Sequence, residues 1–270
     1  MPPTKFWAEM TWRDFAAADM RNVVAVLPVA ATEQHGPHLP VGTDTFISEG
    51  YFAHTMERLP ADLPVLFLPV QAIGKSDEHI EYPGTLTFSP ETLIRAWTEI
   101  GDSIARTGCR KLIVMNSHGG NVPIIDIVTR QLRRRYGMLA IQASWRRLGY
   151  PDGAFSAKER AHGIHGGDDE TSLMLAFQPQ LARNDEMQNF DSAAVSIESE
   201  FRRLRVTQPI GLAWMASDLH ELGAAGDSSH ATAERGNALA ESGAAKFIEL
   251  LRDVVAFDLA RLRPGPLQER

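Results

Sequence analysis

Residues 31–45 read ATEQHGPHLPVGTDT and gather Glu33, His35, His38 and Asp44 into one stretch punctuated by proline and glycine, directly after an apolar run. Carboxylates and imidazoles without thiolates are the donor set of zinc, manganese and other borderline divalent ions in open, catalytic sites. Glu33 and His35 stand two residues apart, so in an extended segment leaving a strand their side chains point to the same side and can share an ion. Asp44 falls where a helix is predicted to begin near Thr45; it offers an oxygen that can bridge two cations, and capping that helix is its plain structural role.

Two further segments carry similar chemistry. In SHGGN, His118 closes an apolar run, and Gly119 and Gly120 let the backbone approach a ligand closely, so that their N–H groups suit an anion or a developing oxyanion. A tight strand-to-helix turn explains the glycines equally well, and Asn121 most simply caps the helix that follows. In HGIHGGDDETS, the acids Asp168, Asp169 and Glu170 precede an apolar helical run. A helix start needs one acid for its dipole, so one of the three is free for another task. Taken singly, Glu33 is explained as a surface carboxylate and His118 as a satisfied loop histidine. Jointly those explanations weaken, because six of the nine histidines (His35, His38, His79, His118, His162 and His165) fall in segments that follow apolar runs.

The elements that must position these groups alternate in type. Apolar runs at 22–30, 64–72, 111–116 and 138–144 predict strands, and 44–59, 90–107 and 121–136 have helical period. That order indicates βαβ units, a mostly parallel central sheet and a three-layer α/β/α fold, with strands buried on both faces. Ser89 ahead of Pro90 and Glu91 marks one helix start, and Gly108 marks a helix stop. Residues 179–230 predict loops and short elements around the core, and from Ala231 a helix with an apolar face suited to docking on the sheet. No linker interrupts the chain, so residues 1–270 are expected to form a single domain. In such a sheet the ligand site lies beyond the carboxyl ends of the strands, where the four histidine-bearing segments converge.

Composition narrows the partners. With 270 residues, 44% hydrophobic, and a net charge of -7, the chain has material for a large core and no basic footprint for nucleic acid; RQLRRRYG reads as an exposed helix face. Cys109 is the only cysteine, which excludes an intrachain disulfide, fits a reducing compartment, and reads as a buried residue at a strand entrance. Without a signal-peptide pattern or an apolar stretch of spanning length, a cytoplasmic protein with no membrane partner is expected.

At this point the motifs match a known pattern. LPVAATEQHGPHLPVGTD closely resembles the signature of the creatininase family of creatinine amidohydrolase-like metalloenzymes, and EYPGTLT, VMNSHGGN, HGGDDETSLML and GAAGDSSHATAERG resemble its other blocks, in order, over about residues 20–240. The resemblance implies a two-metal site, zinc or manganese with iron as a third option, that cleaves C–N bonds of amides. It puts Glu33, His35, Asp44 and His118 on metal-ligand positions, with Asp44 as the bridge, Glu170 as the remaining carboxylate and His165 as the catalytic histidine, His162 being the fallback. It also implies homo-oligomers, commonly hexamers. One departure stands out: creatininases proper resemble HYEN around the third-strand histidine, with the glutamate a ligand, whereas this chain reads HGGN. Either Glu170 supplies the missing donor or one cation is weakly held, and HGGN members resemble deformylases and related amide, lactam or peptide hydrolases.

The expected function is therefore hydrolysis of a small amide (a lactam, cyclic urea or formamide) by water that the metals activate, with His165 protonating the leaving nitrogen. Trp145, Tyr150 and Phe155 are candidates for an apolar wall over the substrate, although core packing also explains Trp145. His79, with Ser76 and Glu78, is a candidate for hydrogen bonding the substrate, and Arg146 or Arg147 for binding a carboxylate. The alternatives are a non-catalytic metal-binding or small-molecule sensor protein, creatininase proper, and a phosphoester hydrolase, which the lack of a Lys/Arg cluster beside the ligands disfavours.

Overall fold

The computed structural model describes residues 1–266, so the last four positions of the expected 1–270 domain lie outside the described residues. Four strands, β1 (Val24–Val29), β2 (Val65–Phe67), β3 (Lys111–Asn116) and β4 (Leu139–Ser144), form a parallel sheet in the order β2-β1-β3-β4. The helices are α1 (Trp12–Ala17), α2 (Thr43–Arg58), α3 (Pro90–Arg106), α4 (Val122–Tyr136), α5 (Ala157–His162), α6 (Asp168–Phe177), α7 (Ala194–Glu200), α8 (Ala216–Leu219) and α9 (Ala233–Ala256). A two-stranded antiparallel ribbon, β5 (Asn189–Phe190) with β6 (Gly226–Asp227), lies within the loop-rich stretch and was not anticipated from sequence.

Alternation along the strands builds two cores. Ala25, Leu27 and Val29 of β1, with Leu112 and Val114 of β3, pack against α3 and α4 through Leu93, Trp97, Ile125 and Val128. Val24 and Val26, with Ile113 and Met115, face α2, α6 and α9 through Ile47, Tyr51, Leu173, Met174 and Phe247. This is the three-layer α/β/α arrangement, and it explains why β1 and β3 read as continuous apolar runs: both faces are covered. β4 departs from the expectation, because it is the sheet edge and its residues are only partly buried. The C-terminal helix docks as expected. Phe247 of α9 is fully buried, so Phe247→Ala is expected to lower the unfolding free energy by about 3–5 kcal/mol in a denaturant titration.

Two expected caps differ from the sequence reading. Asp44 is not the cap of α2; the helix begins at Thr43 after Gly42, leaving the Asp44 side chain free to point elsewhere. Asn121 does stand at the N-cap position of α4 but makes no side-chain cap bond, its side chain being used between loops. Ser89 does cap α3, accepting the Thr92 N–H at 3.3 Å, and Gly108 ends that helix at φ +93°. Cys109 is buried, its thiol donating to the Val23 carbonyl at 3.2 Å. Among the described residues no helix is long and apolar enough to cross a membrane.

The strand order places the site. The chain leaves β1 through α2 towards β2 on one side, then returns through α3 to β3 on the other, so the loops after β1 and β3 diverge and open a crevice at their carboxyl ends.

Candidate metal centre

The loop after β1 folds back on itself: the Glu33 N–H donates to the Val41 carbonyl at 2.9 Å, and His35 pairs with Leu39 in an antiparallel bridge. Gly36 turns it at φ +70°, a conformation costly for any other residue. Glu33 and His35 thereby emerge on the same side, fully buried, opposite Asp44 in the first turn of α2. Beyond β3, Asn116 holds the next turn by accepting the His118 N–H at 3.2 Å and donating to the His118 carbonyl at 2.5 Å. Asn121 ties three loops together, donating to the Ala30 carbonyl at 3.0 Å and accepting the Lys75 N–H at 2.9 Å. Glu170, in the first turn of α6, is fastened by the Gly166 N–H at 2.7 Å.

These loops bring the donors together. His35 Nε2 lies 3.6 Å from Asp44 Oδ1 and 3.8 Å from Glu170 Oε2. His118 Nδ1 lies 3.0 Å from Glu33 Oε1 and 3.6 Å from Asp44 Oδ2. The far nitrogen of each ring is anchored to a carbonyl, which can only accept: His35 Nδ1 to Glu33 O at 3.0 Å and His118 Nε2 to Lys75 O at 2.7 Å. The Gly120 N–H, 3.2 Å from that same His118 nitrogen, is the weaker contact and does not change its protonation. In the neutral form both histidines therefore present a lone pair to the carboxylates, as ligating histidines do. Buried atoms without hydrogen-bond partners are costly, and here Glu33 Oε1 and Oε2, His35 Nε2 and Asp44 Oδ2 are all of that kind. Glu33, His35 and Asp44 offer one atom each within 4.8 Å of one another. A nitrogen and oxygen set of this sort fits zinc or manganese.

The electrostatics show protons standing where cations belong. Burial lowers the basicity of both rings, but the carboxylates reverse this: His35 is raised to about 9, chiefly by Asp44, and His118 to about 10, chiefly by Glu33. Asp44 is pushed up to about 6 by burial and the Glu33 charge. A pKa raised on folding stabilises the folded state below the unfolded value of 6.5, and the gain is lost as pH climbs through 9 to 10. The melting temperature of metal-free protein should accordingly fall between about pH 7 and pH 10, while that of metal-loaded protein should hold steady; parallel thermal melts check this.

Around the centre, His165 is buried, with Nε2 2.6 Å from the Gln34 carbonyl and Nδ1 3.7 Å from Glu33 Oε1. His79 Nε2 is 3.5 Å from the same oxygen. Burial holds both rings below their ordinary pKa, His79 at about 2 and His165 at about 4. His162, by contrast, faces Glu198 at 3.3 Å and takes no part. His38 is buried behind the centre, between the Gly166 carbonyl and the Thr171 hydroxyl, each at 3.0 Å. Glu159 of α5 braces the segment bearing His165, accepting the Asp168 N–H at 2.8 Å and the Asp227 N–H at 3.0 Å. Gly163, Gly167 and Gly226 line that carboxylate so closely that a side chain at any of them would strike it.

The chain matches a family model described as creatinine amidohydrolase over residues 8–251. It belongs to the creatininase family. Among curated relatives, a mycofactocin precursor peptide peptidase of Mycobacterium tuberculosis (strain ATCC 25618 / H37Rv) is 32% identical over 250 residues, spanning 89% of this chain and 86% of its own. A creatinine amidohydrolase of Pseudomonas putida is 31% identical over 199 residues, spanning 67% of this chain and 75% of its own. A solved creatininase mutant of zinc–zinc type is 25% identical, with a TM-score of 0.73 over 94% of this chain and 99% of that one. As a creatininase-family member the chain is a metal-dependent amidohydrolase.

Creatininase membership sharpens the departure at Gly120. A side chain there would run into the Lys75 carbonyl and come within 2.5 Å of His118 Nε2 and 2.6 Å of Glu78 Oε1, so position 120 has no room for a ligand. Glu170 Oε2 lies 3.8 Å from His35 Nε2, on the side of the centre away from His118. The two glycines do not form the expected pair of amide donors, since the Gly120 N–H lies against the His118 ring. Trp145 is also placed differently: it is 5% exposed, stacked on Tyr51 at 4.3 Å with Phe52 and Phe247 at its edges, and so belongs to the core rather than to a substrate wall. Phe155 is buried beside Tyr150, whose hydroxyl donates to Asp169, and Arg146 donates to the Gly163 carbonyl at 2.5 Å, which leaves neither aromatic as a free lid. Trp214, which sequence reasoning passed over inside QPIGLAW, stands edge-on to His79 at 6.2 Å. No local pattern distinguished it from loop aromatics.

Proposed function

We propose that this chain hydrolyses the C–N bond of a small amide, with two divalent cations, zinc or manganese, held by Glu33, Asp44 and His118 on one side and by His35, Asp44 and Glu170 on the other. The observation that carries the reading is the placement of Asp44: one carboxylate faces two histidines from opposite sides, Oδ1 towards His35 and Oδ2 towards His118, each at 3.6 Å. Bound there, the cations would polarise the substrate carbonyl and make water nucleophilic at neutral pH. The chain's own residues do the rest. His165, neutral and anchored through Nε2, turns Nδ1 towards the centre and can take a proton there and pass it to the departing nitrogen. Burial of the donors keeps bulk water out and strengthens each electrostatic contact. Homo-oligomeric assembly, hexameric by family resemblance, belongs to the same proposal and is tested by sedimentation.

A second reading, cleavage of a peptide amide, is favoured by the coverage of the relatives: the match named as a peptide peptidase spans 89% of this chain, the creatinine amidohydrolase 67%. One screen separates the two. Protein loaded with zinc or manganese is offered formamides, lactams, cyclic ureas including creatinine, and short peptides, and amine release is followed; turnover is expected on at least one class and is expected to stop on chelation. No release from any class at full metal content would sink the amidohydrolase proposal and leave a metal-binding role.

A further inference from the structure

Gln34 lies between the two ligands Glu33 and His35, yet its buried side chain turns away from the carboxylates. Its amide Oε1 accepts the Gly36 N–H at 2.9 Å, which fixes the orientation of the group, and Nε2 then donates both to the Gly223 carbonyl at 2.8 Å and to His79 Nδ1 at 2.7 Å. Gly223, at φ +79°, closes over the Gln34 amide at a distance no side chain would permit, so the loop at 220–226 clamps it. The main-chain carbonyl of Gln34 meanwhile accepts His165 Nε2–H at 2.6 Å. The rings of His79 and His165 stack with centroids 4.1 Å apart.

These contacts decide which end of each imidazole reaches the centre. The amide NH2 gives a proton to His79 Nδ1, so that ring carries its own proton on Nε2, which faces Glu33. The carbonyl takes the Nε2 proton of His165, so that ring faces Glu33 with a bare Nδ1. We infer that Gln34 is a positioning residue that holds the stacked pair in one tautomer but reversed in direction, so that the centre receives an N–H donor from His79 beside a proton acceptor from His165. The arrangement rests on the proposed amide hydrolysis for its purpose: the acceptor suits a proton bound for the leaving nitrogen, and the donor suits charge growing on the substrate oxygen. The geometry itself is independent of that reading.

The test combines a spectrum with kinetics. Two-bond ¹H–¹⁵N correlation spectra of histidine-labelled, zinc-loaded protein at pH 7, assigned with His79→Gln and His165→Gln, should show both rings protonated at Nε2 alone. In Gln34→Met, which fills the space but cannot donate, the His79 pattern should shift towards Nδ1 protonation while His165 stays unchanged. With metal content retained, kcat should drop about 10- to 100-fold, with KM nearly constant. A wild-type His79 protonated at Nδ1, or a Gln34→Met protein with unaltered His79 signals and full kcat, would overturn the inference. The wild-type spectrum decides the tautomers even where the variant fails to fold. Predicted tautomers in a protein that hydrolyses none of the amides would defeat the functional proposal and leave this assignment standing.

Discussion

Asp44→Asn is expected to lower kcat/KM by about a thousandfold or more, several kcal/mol at about 1.4 kcal/mol per decade. The size of the effect follows from position. Asp44 is 1% exposed in the first turn of α2, where the helix dipole favours its charge, and its two oxygens reach towards His35 and His118. The amide keeps the shape but removes the charge, and gives the centre an NH2 group where a second acceptor is needed. Metal analysis of the purified variant should show less than the wild-type content, and excess zinc or manganese should restore only part of the rate. Wild-type turnover with wild-type metal content would show that Asp44 bridges nothing. The substitution should leave the fold intact, since the buried carboxylate is a cost to the metal-free chain, already raised to about 6 by burial and Glu33.

His165→Gln is the second large effect, a loss of about 10²- to 10⁴-fold in kcat, the range for removing a positioned acid–base group. It differs from the first in what it spares. His165 Nε2 is engaged with the Gln34 carbonyl and its backbone exchanges hydrogen bonds with Ala225 at 3.1 and 2.7 Å, contacts that hold the residue independently of the proposed ligands. Metal content should therefore match wild type, and KM should change little. The pH–rate profile supplies the diagnostic: the limb assigned to His165 should vanish in the variant, and substrates with more acidic leaving amines should suffer less. Equal losses on every leaving group would assign His165 to binding instead.

Much of this was visible in the sequence, for reasons that differ from residue to residue. β1 and β3 declared themselves because a parallel strand covered on both faces is apolar between its ends, and β4 was found from the same signal although its edge position was not. Glu33 and His35 were readable because a period of two puts both on one side of an extended segment. Asp44 was located correctly, but its alternative role as a cap fails, since a two-residue shift in the helix start, from Thr45 to Thr43, frees its side chain. Trp145 shows the opposite limit: its packing partners Tyr51, Phe52 and Phe247 come from α2 and α9, far away in the chain, and no local pattern reports such contacts. Gln34 hid for a similar reason, because its partners Gly223, His79 and His165 lie on three other segments. Its neighbours in EQH drew attention as ligands while it read as a spacer.

The Glu159 brace couples segments that are far apart in the chain. By holding α5, the start of α6 and β6 to one carboxylate, it joins three segments at a single point, with no room for a side chain at Gly163, Gly167 or Gly226. The stretch at 201–215 that carries Trp214 is by contrast largely exposed.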